Sequence, residues 1–179
     1  MFHHRDLLDD LNKPLPLKDK IMNKQRTIQQ KFPLIARNEI TLYNPKKKKK
    51  KTYLHSSGED EPLAHYQSTL ENAPSLKEIL DKGLPRVVNN LVTFESGAHE
   101  HTQRIGRQGY AASYTMPMFH SGEFIGFLFF NAYQTDVFTE KVLSILDIYG
   151  HLISSMMINE LSTFNVMSAA LKTTNHITH

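Results

Sequence analysis

The stretch SGEFIGFLFFN, residues 121–131, begins with a turn and continues into large apolar side chains. In an extended chain, alternate side chains point to opposite faces. One face would then carry Phe124, Leu128 and Phe130, and the other would carry Ile125, Phe127 and Phe129. A strand that alternates apolar and polar residues is half exposed to water, but neither face of this strand suits water. The stretch therefore predicts a central strand that is covered on both sides.

The residues before and after this stretch predict a hairpin and a long last helix. Residues 110–119 precede the turn and predict the partner strand, in which Pro117 should lie at a bulge or with its amide position facing away from a neighbour. Thr139 is a suitable N-cap, and Phe138 can pack onto Leu143. Apolar residues then recur at helical spacing along one side: Val142, Ile145, Leu146, Tyr149, Leu152, Ile153 and Met156. We expect this helix to continue to Leu171, with a break near 162–163.

The N-terminal part of the chain predicts a helix and a second hairpin. Residues 17–32 place apolar residues near one helical stripe, which Lys24 interrupts. Residues 37–43 alternate as a strand does, and residues 52–57 fit the returning strand. The run Lys46–Lys51 predicts a solvated loop. Binding of nucleic acid or anionic lipid is the weaker alternative, because no aromatic residues or glycines interleave with the lysines.

The middle of the chain predicts short elements. Ser75 has Glu78 three residues later, a capping-box spacing, so a short helix should begin there and be closed by Gly83. Residues 85–88 predict a brief strand, and residues 95–109 predict a polar loop with one short helix. The whole order predicts an α+β fold, with an antiparallel sheet between packed helices on one face and a short helix and loops on the other.

Composition excludes several classes of function. The 179 residues contain no cysteine, which rules out disulfides, thiolate metal sites and cysteine nucleophiles. The net charge of +3 depends on the lysine run. No apolar stretch reaches the roughly 18 residues of a membrane span, and the first residues lack the apolar core of a signal peptide. We therefore expect a cytoplasmic protein that binds neither a membrane nor nucleic acid.

Metal binding and catalysis have no diagnostic pattern. His99 and His101 form an H-x-H pair, with His120 as a further candidate, but no third ligand stands at a diagnostic spacing. The sequence also lacks a P-loop, a dinucleotide fingerprint and a Ser-His-Asp order. We assign no metal site and no catalytic residue, and we expect that the chain is not an enzyme.

Residues 109–157 resemble a GAF domain, the small-molecule sensor module related to PAS domains. The likeness consists of a strand that begins GYAAS, a glycine turn, an x-I-G-x-L-x-F strand and an F-T-x-x-x-L start to the last helix. NEITLYNP with its hairpin and SLKEILDKGLPRVVNNL match less specifically. The resemblance covers about residues 17–160.

The resemblance implies a sheet of five or six antiparallel strands, with the first and last helices together on one face. On the opposite face, members of the family bind small ligands in a pocket that short helices and a variable loop cover. The implied ligand contacts are Arg104, Arg107, Tyr110, Ser113, Tyr114, Phe127 and Phe129. The absence of cysteine argues against covalent bilin attachment and cysteine-dependent reduction of methionine sulfoxide. An NKFDE-type motif of the cyclic-nucleotide binders is also absent, so the ligand and any cofactor stay unassigned.

The resemblance also suggests how the chain is divided. Residues 1–16 form an N-terminal segment that can be disordered, residues 17–160 form the GAF-like domain, and residues 161–179 form a helical linker toward an output domain. AALKTTNHITH resembles the segment that leads into HD-GYP cyclic-di-GMP phosphodiesterase domains. The leading hypothesis is the sensory part of a bacterial signalling protein, in which a small molecule biases the last helix.

The rival hypothesis is an interaction module without a ligand, whose pocket is filled by its own aromatic side chains. Both hypotheses predict a parallel homodimer through the terminal helices. The reason is an apolar stripe that extends beyond what one domain can cover: Met156, Met157, Leu161, Phe164 and Met167.

Overall fold

The computed structural model describes residues 8–44, 49–57, 74–91 and 109–175, with backbone only for residues 12, 44, 49–57 and 160–175. The helices in these ranges are α1 (Leu17–Lys31), α2 (Pro74–Lys82) and α3 (Glu140–Asn175), and a short 3-10 helix (Asp9–Asn12) precedes them. The strands are β1 (Ile35–Asn44), β2 (Lys49–Ser57), β3 (Arg86–Val88), β4 (Ala112–His120) and β5 (Glu123–Ala132).

Among the described residues, five strands form one antiparallel sheet in the order β2-β1-β5-β4-β3. The predicted α+β class with an antiparallel sheet is confirmed, and both predicted hairpins form. The stretch 121–131 supplies β5, which lies at the centre between β1 and β4. Helices α1 and α3 pack together on one face of the sheet, and α2 packs on the other face.

A β-bulge in β5 changes which face two of its residues occupy. Met118 pairs with Gly126 and Phe119 pairs with Phe124, so Ile125 is an extra residue in β5. An extra residue shifts the alternation by one position. Phe124 therefore packs with the side chains under α2, and Ile125 packs with those under α1 and α3. The prediction from strict alternation is wrong for these two residues.

Pro117 lies where the sheet does not need its missing amide donor. It stands opposite Phe127 of β5, and beyond Thr115, the last β4 residue that pairs with β3. The bulge follows directly after Met118. This position near a bulge, past the end of a neighbouring strand, is typical of proline in a sheet.

The lysine run belongs partly to the sheet. β2 begins at Lys49, and Lys49–Lys51 pair with residues 44 to 42 of β1, while residues 45–48 lie outside the described residues. The prediction of a loop is therefore wrong for the last three lysines. β2 is an edge strand of the sheet, and edge strands commonly carry lysines, whose charge opposes pairing with another chain.

The face that α1 and α3 cover is closed by an apolar core. Its members include Ile21, Ile28, Ile40, Tyr114, Met116, Leu128, Phe130, Leu146 and Ile153. Lys24, which interrupts the apolar stripe of α1, is also buried, and its ammonium group contacts the carboxylate of Asp10. The interruption is therefore filled by an ion pair to the 3-10 helix before α1.

Helix α3 starts as predicted and is continuous. The hydroxyl of Thr139 accepts a hydrogen bond from the backbone N–H of Val142 at 3.4 Å, and the buried Phe138 joins the core that Leu143 packs against. The helix runs to Asn175 without a break at residues 162–163. Residues 140–159 are long and apolar enough to cross a membrane by length and composition, but a core helix passes the same test, and Leu146 is buried in the core.

Helix α2 begins one residue earlier than the capping-box spacing predicted. It starts at Pro74, so Ser75 lies inside its first turn and is fully buried. Proline is favoured at the first helical position, because the amide it lacks has no intrahelical acceptor there. Glu78 accepts a hydrogen bond from Lys82 at 2.5 Å. Gly83 follows the helix with a φ of 63°, the left-handed conformation that ends many helices.

Candidate functional site

The α2 side of the sheet is divided into an aromatic half and a polar half. The aromatic half lies directly under α2, where Phe127 and Phe129 pack against Leu76 and Ile79. Ring centroids of neighbouring phenylalanines are 4.8 Å apart for Phe124 and Phe127, and 5.7 Å apart for Phe127 and Phe129. This half of the face is filled by its own side chains.

The polar half consists of five buried side chains, which we call the polar patch: Arg37, Glu39, Ser113, Thr115 and Asn131. None of them is more than 6% exposed. The strand register places them in two adjacent rows. Arg37, Asn131 and Ser113 lie side by side on β1, β5 and β4. Glu39 and Thr115 flank Phe129 in the next row.

Two members of the polar patch are charged, and they contact each other. The guanidinium Nη2 of Arg37 donates to Oε2 of Glu39, and both side chains are almost completely buried. Between β1 and β4, Oδ1 of Asn131 has no hydrogen-bond partner among the described residues. Buried polar atoms without a partner are uncommon in folded proteins, and among the described residues they occur on both faces of this sheet, as with Oδ1 of Asn38 on the α1 side.

Apolar clusters border the polar patch on two sides. The aromatic half lies beyond Phe129, and on the other side Tyr110 packs with Val88 and Leu91. Val88 pairs with Ser113, so this second cluster begins at the end of the first polar row. The patch therefore lies between two apolar clusters, and a further buried polar side chain of the same face, Thr41, stands beside Phe127.

An open cavity of about 300 Å³ lies at the β3 edge of the same face. It is lined by residues of α2 and by the segment that leads into β3: Glu78, Ile79, Lys82, Leu84, Pro85, Arg86 and Val87. Arg86 pairs with Thr115 of the polar patch. Burial lowers the pKa of the Arg86 guanidinium, and the negative charge of Glu78 acts in the opposite direction.

On the other face of β4, Tyr114 connects the sheet to α3. Its hydroxyl donates to Oδ1 of Asp147. Burial raises the pKa of the Tyr114 hydroxyl, and the hydrogen bond to Asp147 and the charge of that carboxylate raise it further. Two residues along β4, Met116 lies against Gly150 so closely that a Cβ at position 150 would collide with its sulfur.

Asn89 fixes the start of α3 to the segment after β3. Its side-chain amide donates to the backbone oxygen of Phe138 at 3.2 Å, and its Oδ1 accepts from the backbone N–H of Phe138 at 3.1 Å. Its own backbone oxygen accepts from the N–H of Asp136 at 3.0 Å. These three bonds hold the loop between β5 and α3.

The residues predicted as ligand contacts do not all come together. Ser113 lies in the polar patch, whereas Tyr114 faces α3. Phe127 and Phe129 form the aromatic half under α2. Tyr110 stacks on Tyr133, with ring centroids 4.8 Å apart, at the border of the patch. Four further candidates lie outside the described residues: Arg104, Arg107, His99 and His101.

Sequence reasoning missed Arg37, Glu39 and Asn131. Arg37 and Glu39 alternate with Asn38 and Ile40, which is the pattern of a strand with one face in water. The feature that could have indicated their burial is the position of β1 beside the central strand. A strand that has a neighbour on each edge, in a sheet covered on both faces, exposes neither of its faces to water. Asn131 carried a similar signal as the one polar residue at the end of an apolar strand.

Comparison with known proteins identifies the fold. No protein-family model matches the chain, and no curated protein matches it. Solved structures do match. The GAF domain of an Acinetobacter phosphoenolpyruvate-protein phosphotransferase has a TM-score of 0.68 at 14% sequence identity, over 87% of this chain and 90% of that chain. This chain has the GAF fold.

Two further solved structures show the same fold in other protein contexts. The GAF domain/HD domain protein from Geobacter sulfurreducens has a TM-score of 0.63 at 13% identity, over 84% of this chain and 98% of that chain. The phycoerythrobilin-bound GAF domain from a cyanobacterial phytochrome has a TM-score of 0.66 at 16% identity, over 84% of this chain and 90% of that chain. The resemblance to GAF domains predicted from the sequence is thus confirmed at the level of the fold.

Proposed function

We propose that the chain is a sensory or regulatory domain of a bacterial cytoplasmic signalling protein. In this proposal, a small molecule binds on the α2 side of the sheet over the polar patch, without being transformed chemically. The response leaves through α3 toward an output domain, for which a cyclic-di-GMP phosphodiesterase is our first candidate. The continuation of α3 beyond the core supports a parallel homodimer through the terminal helices.

The observation that carries this proposal is the polar patch itself, in which buried polar side chains of three adjacent strands lie together in the middle of the sheet. The α1 and α3 side also buries an ion pair, Lys24 with Asp10, but that pair joins α1 to the 3-10 helix at the edge of an apolar core. On the α2 side the charged pair of Arg37 and Glu39 lies on the sheet, beside an asparagine whose Oδ1 has no partner among the described residues. Burying polar groups is costly unless hydrogen bonds compensate them, so such an area is better explained by binding than by stability.

The alternation of β4 supports a direct route from the patch to the output helix. Ser113 and Thr115 lie in the polar patch, while Tyr114 and Met116 on the same strand contact α3. A ligand can shift an equilibrium only by binding two conformations with different affinity. A small displacement of β4 is expected to change the contact between Tyr114 and Asp147, and thus the position of α3.

The structural neighbours support the same direction. One neighbour is a GAF domain with a bound phycoerythrobilin, and another has a GAF domain and an HD domain in one protein. These pairings are properties of those proteins, and they make small-molecule binding and an HD-type output reasonable first hypotheses for this chain.

Native purification followed by ligand screening tests the proposal. The protein is purified without denaturation, and co-purified small molecules are identified by mass spectrometry. A panel of amino acids, nucleotides and carboxylates is then screened by thermal denaturation. We expect at least one compound to raise the melting temperature of the wild type and not that of Asn131→Leu. If no compound binds and none co-purifies, the sensory proposal fails.

The aromatic half favours a second candidate, an interaction module without a ligand. Phe127 and Phe129 already fill the space under α2 with their own rings. Under this alternative the chain dimerises through α1 and α3 whether or not small molecules are present. The ligand screen combined with analytical ultracentrifugation at tens of micromolar separates the possibilities. A dimer that binds no compound supports the interaction module, and a monomer contradicts the dimer that both candidates predict.

A further inference from the structure

The lysine run has aromatic neighbours on the adjoining strands, and the proposed function uses neither. Lys50 of β2 stands opposite Tyr43 of β1 in the strand register. The ring centroid of Tyr43 lies 5.3 Å from that of Phe124 on β5, and the centroid of Phe124 lies 6.0 Å from that of Phe119 on β4. These three rings form a row across β1, β5 and β4, which we call the aromatic row.

The aromatic row is accessible to solvent, most of all at its β4 end. Phe119 is 40% exposed, and Tyr43 and Phe124 are partly buried. Phe124 also packs against the aromatic half under α2, so the row continues that apolar surface to the end of the sheet. Helices α1 and α3 lie on the opposite face, so a dimer through these helices would not involve the row.

Positive charge borders the aromatic row along β2. Lys49–Lys51 pair with residues 44 to 42 of β1 and belong to a run of six consecutive lysines. Protection of a sheet edge accounts for lysines on β2, but it does not account for aromatic rings on the three strands beside them. Glu123, exposed at the turn between β4 and β5, adds one negative charge near the other end of the row. The charge of Lys49–Lys51 outweighs it.

The sequence-based expectation that the lysines bind no nucleic acid depended on the absence of aromatic residues within the run. The sheet supplies such residues from other strands. Proteins that hold single strands combine positive charge along the backbone with aromatic side chains on which successive bases stack. In RNA-recognition modules, aromatic residues on neighbouring strands of one sheet stack on about two or three bases. Three rings beside a basic edge strand are the same combination.

We propose that the aromatic row and Lys49–Lys51 form a binding surface for single-stranded nucleic acid. Bases stack on Phe119 and on the accessible parts of Tyr43 and Phe124, while the charge of the lysines attracts the phosphates. Single strands suit this surface better than duplexes, because the bases of a duplex already stack on one another. The row that contains Phe127 separates this surface from the polar patch, so the proposal does not depend on the sensory function.

Fluorescence anisotropy on the intact chain tests this assignment. The probes are labelled oligothymidylate and oligouridylate of about 12 nucleotides, within the site size of a single-strand-binding fold. A duplex of the same length is the control probe, and we expect it to bind more weakly than the single strands. A salt slope of about −0.7 for each neutralised phosphate implies, for three lysines, at least about a 20-fold loss of affinity between about 50 and 200 mM salt.

Charge variants make the test specific for the basic edge. Replacing Lys49–Lys51 by glutamine should weaken binding of the single strands at least about tenfold, because three phosphate contacts are lost. The matched control removes the same charge from the other face of the sheet, by glutamine substitution of three exposed residues of α1: Lys18, Arg26 and Lys31. This control should keep most of the wild-type affinity at the same salt concentration.

Ring variants test the aromatic row in the same assay. Phe119→Leu removes the ring but keeps an apolar side chain, and the loss of base stacking should weaken binding about fivefold or more. Tyr133→Leu is the matched control, because Tyr133 is 49% exposed and follows the opposite end of β5. It should bind with wild-type affinity. The melting temperature of each variant shows whether it is folded.

The other class of partner for a basic surface is an anionic membrane. Co-sedimentation with vesicles of equimolar phosphatidylcholine and phosphatidylserine distinguishes the two. If the chain binds these vesicles and no single strand, the nucleic-acid assignment is overturned. Equal affinity for duplex and single strands, or an equal loss in the α1 control, would overturn it as well. Absence of binding at about 100 μM, the weak limit of non-specific nucleic-acid binding, also overturns it and leaves the sensory proposal intact.

Discussion

Replacing Tyr114 by phenylalanine removes the hydroxyl that donates to Asp147 and leaves the aromatic ring in the core. A hydrogen bond to a charged group contributes about 1.5–3 kcal/mol to stability. Asp147 is only partly buried, so water can hydrate its carboxylate when the hydroxyl is gone. We therefore expect Tyr114→Phe to lower the free energy of unfolding by about 1–2 kcal/mol, toward the lower end of that range.

Urea denaturation followed by circular dichroism measures this loss. For a urea slope of about 2 kcal/mol/M, the midpoint should fall by about 0.5–1 M. Tyr149→Phe is the matched control: Tyr149 lies on the same helix, packs against the same core, and its hydroxyl has no hydrogen-bond partner among the described residues. The control should change stability by less than about 0.5 kcal/mol. If both variants lose the same free energy of unfolding, or if Tyr114→Phe is as stable as the wild type, the hydrogen bond to Asp147 does not stabilise the packing of β4 against α3.

Three further predictions concern alkaline pH, the packing of α3 and the buried ion pair. Folding raises the pKa of the Tyr114 hydroxyl above its unfolded value of about 10. The stabilisation that this hydroxyl contributes to the folded state is therefore complete below about pH 10 and decreases above it. The difference in the free energy of unfolding between wild type and Tyr114→Phe should shrink by about 1.4 kcal/mol per pH unit above about pH 10. Gly150→Ala should destabilise the folded protein by about 1–2 kcal/mol in thermal denaturation, because the collision of the new methyl group with Met116 outweighs the gain of roughly 1 kcal/mol in helix propensity. A variant as stable as the wild type would contradict the close approach of Gly150 to Met116. Lys24→Met should lower the free energy of unfolding by about 3–5 kcal/mol, because it leaves the Asp10 carboxylate buried without its cation. Lys24→Met combined with Asp10→Leu should recover most of this loss in urea denaturation. A double variant as unstable as the single variant would show that the unpaired charge is not the cause.

The order of the elements could be predicted from the sequence because it depends on local periodicity. The start of α3 is an example: Thr139 before an apolar helical stripe predicts an N-cap, and the cap forms. The central position of β5 could also be predicted, since its apolar residues on both faces leave no side for water.

What could not be predicted depends on contacts between distant parts of the chain. Alternation within β5 contains no sign of the bulge at Ile125, which arises only in pairing with β4. Lys24 reads as a polar interruption until Asp10, fourteen residues earlier, is placed beside it. Arg37 and Glu39 alternate as the solvent-facing side of a strand does, although both are buried in the folded chain. The candidate site was missed for this reason, although the face that carries it was expected.

The length of α3 makes it a mechanical lever. The helix is buried in the core as far as Met157 and continues to Asn175, so about 27 Å of helix extends past Met157 at 1.5 Å per residue. A tilt of about 5° at Met157 would displace the far end by roughly 2 Å, as follows from that length. The absence of a side chain at position 150 brings the helix close to Met116 of β4, so a small movement of β4 would reach the far end of the helix as a larger displacement.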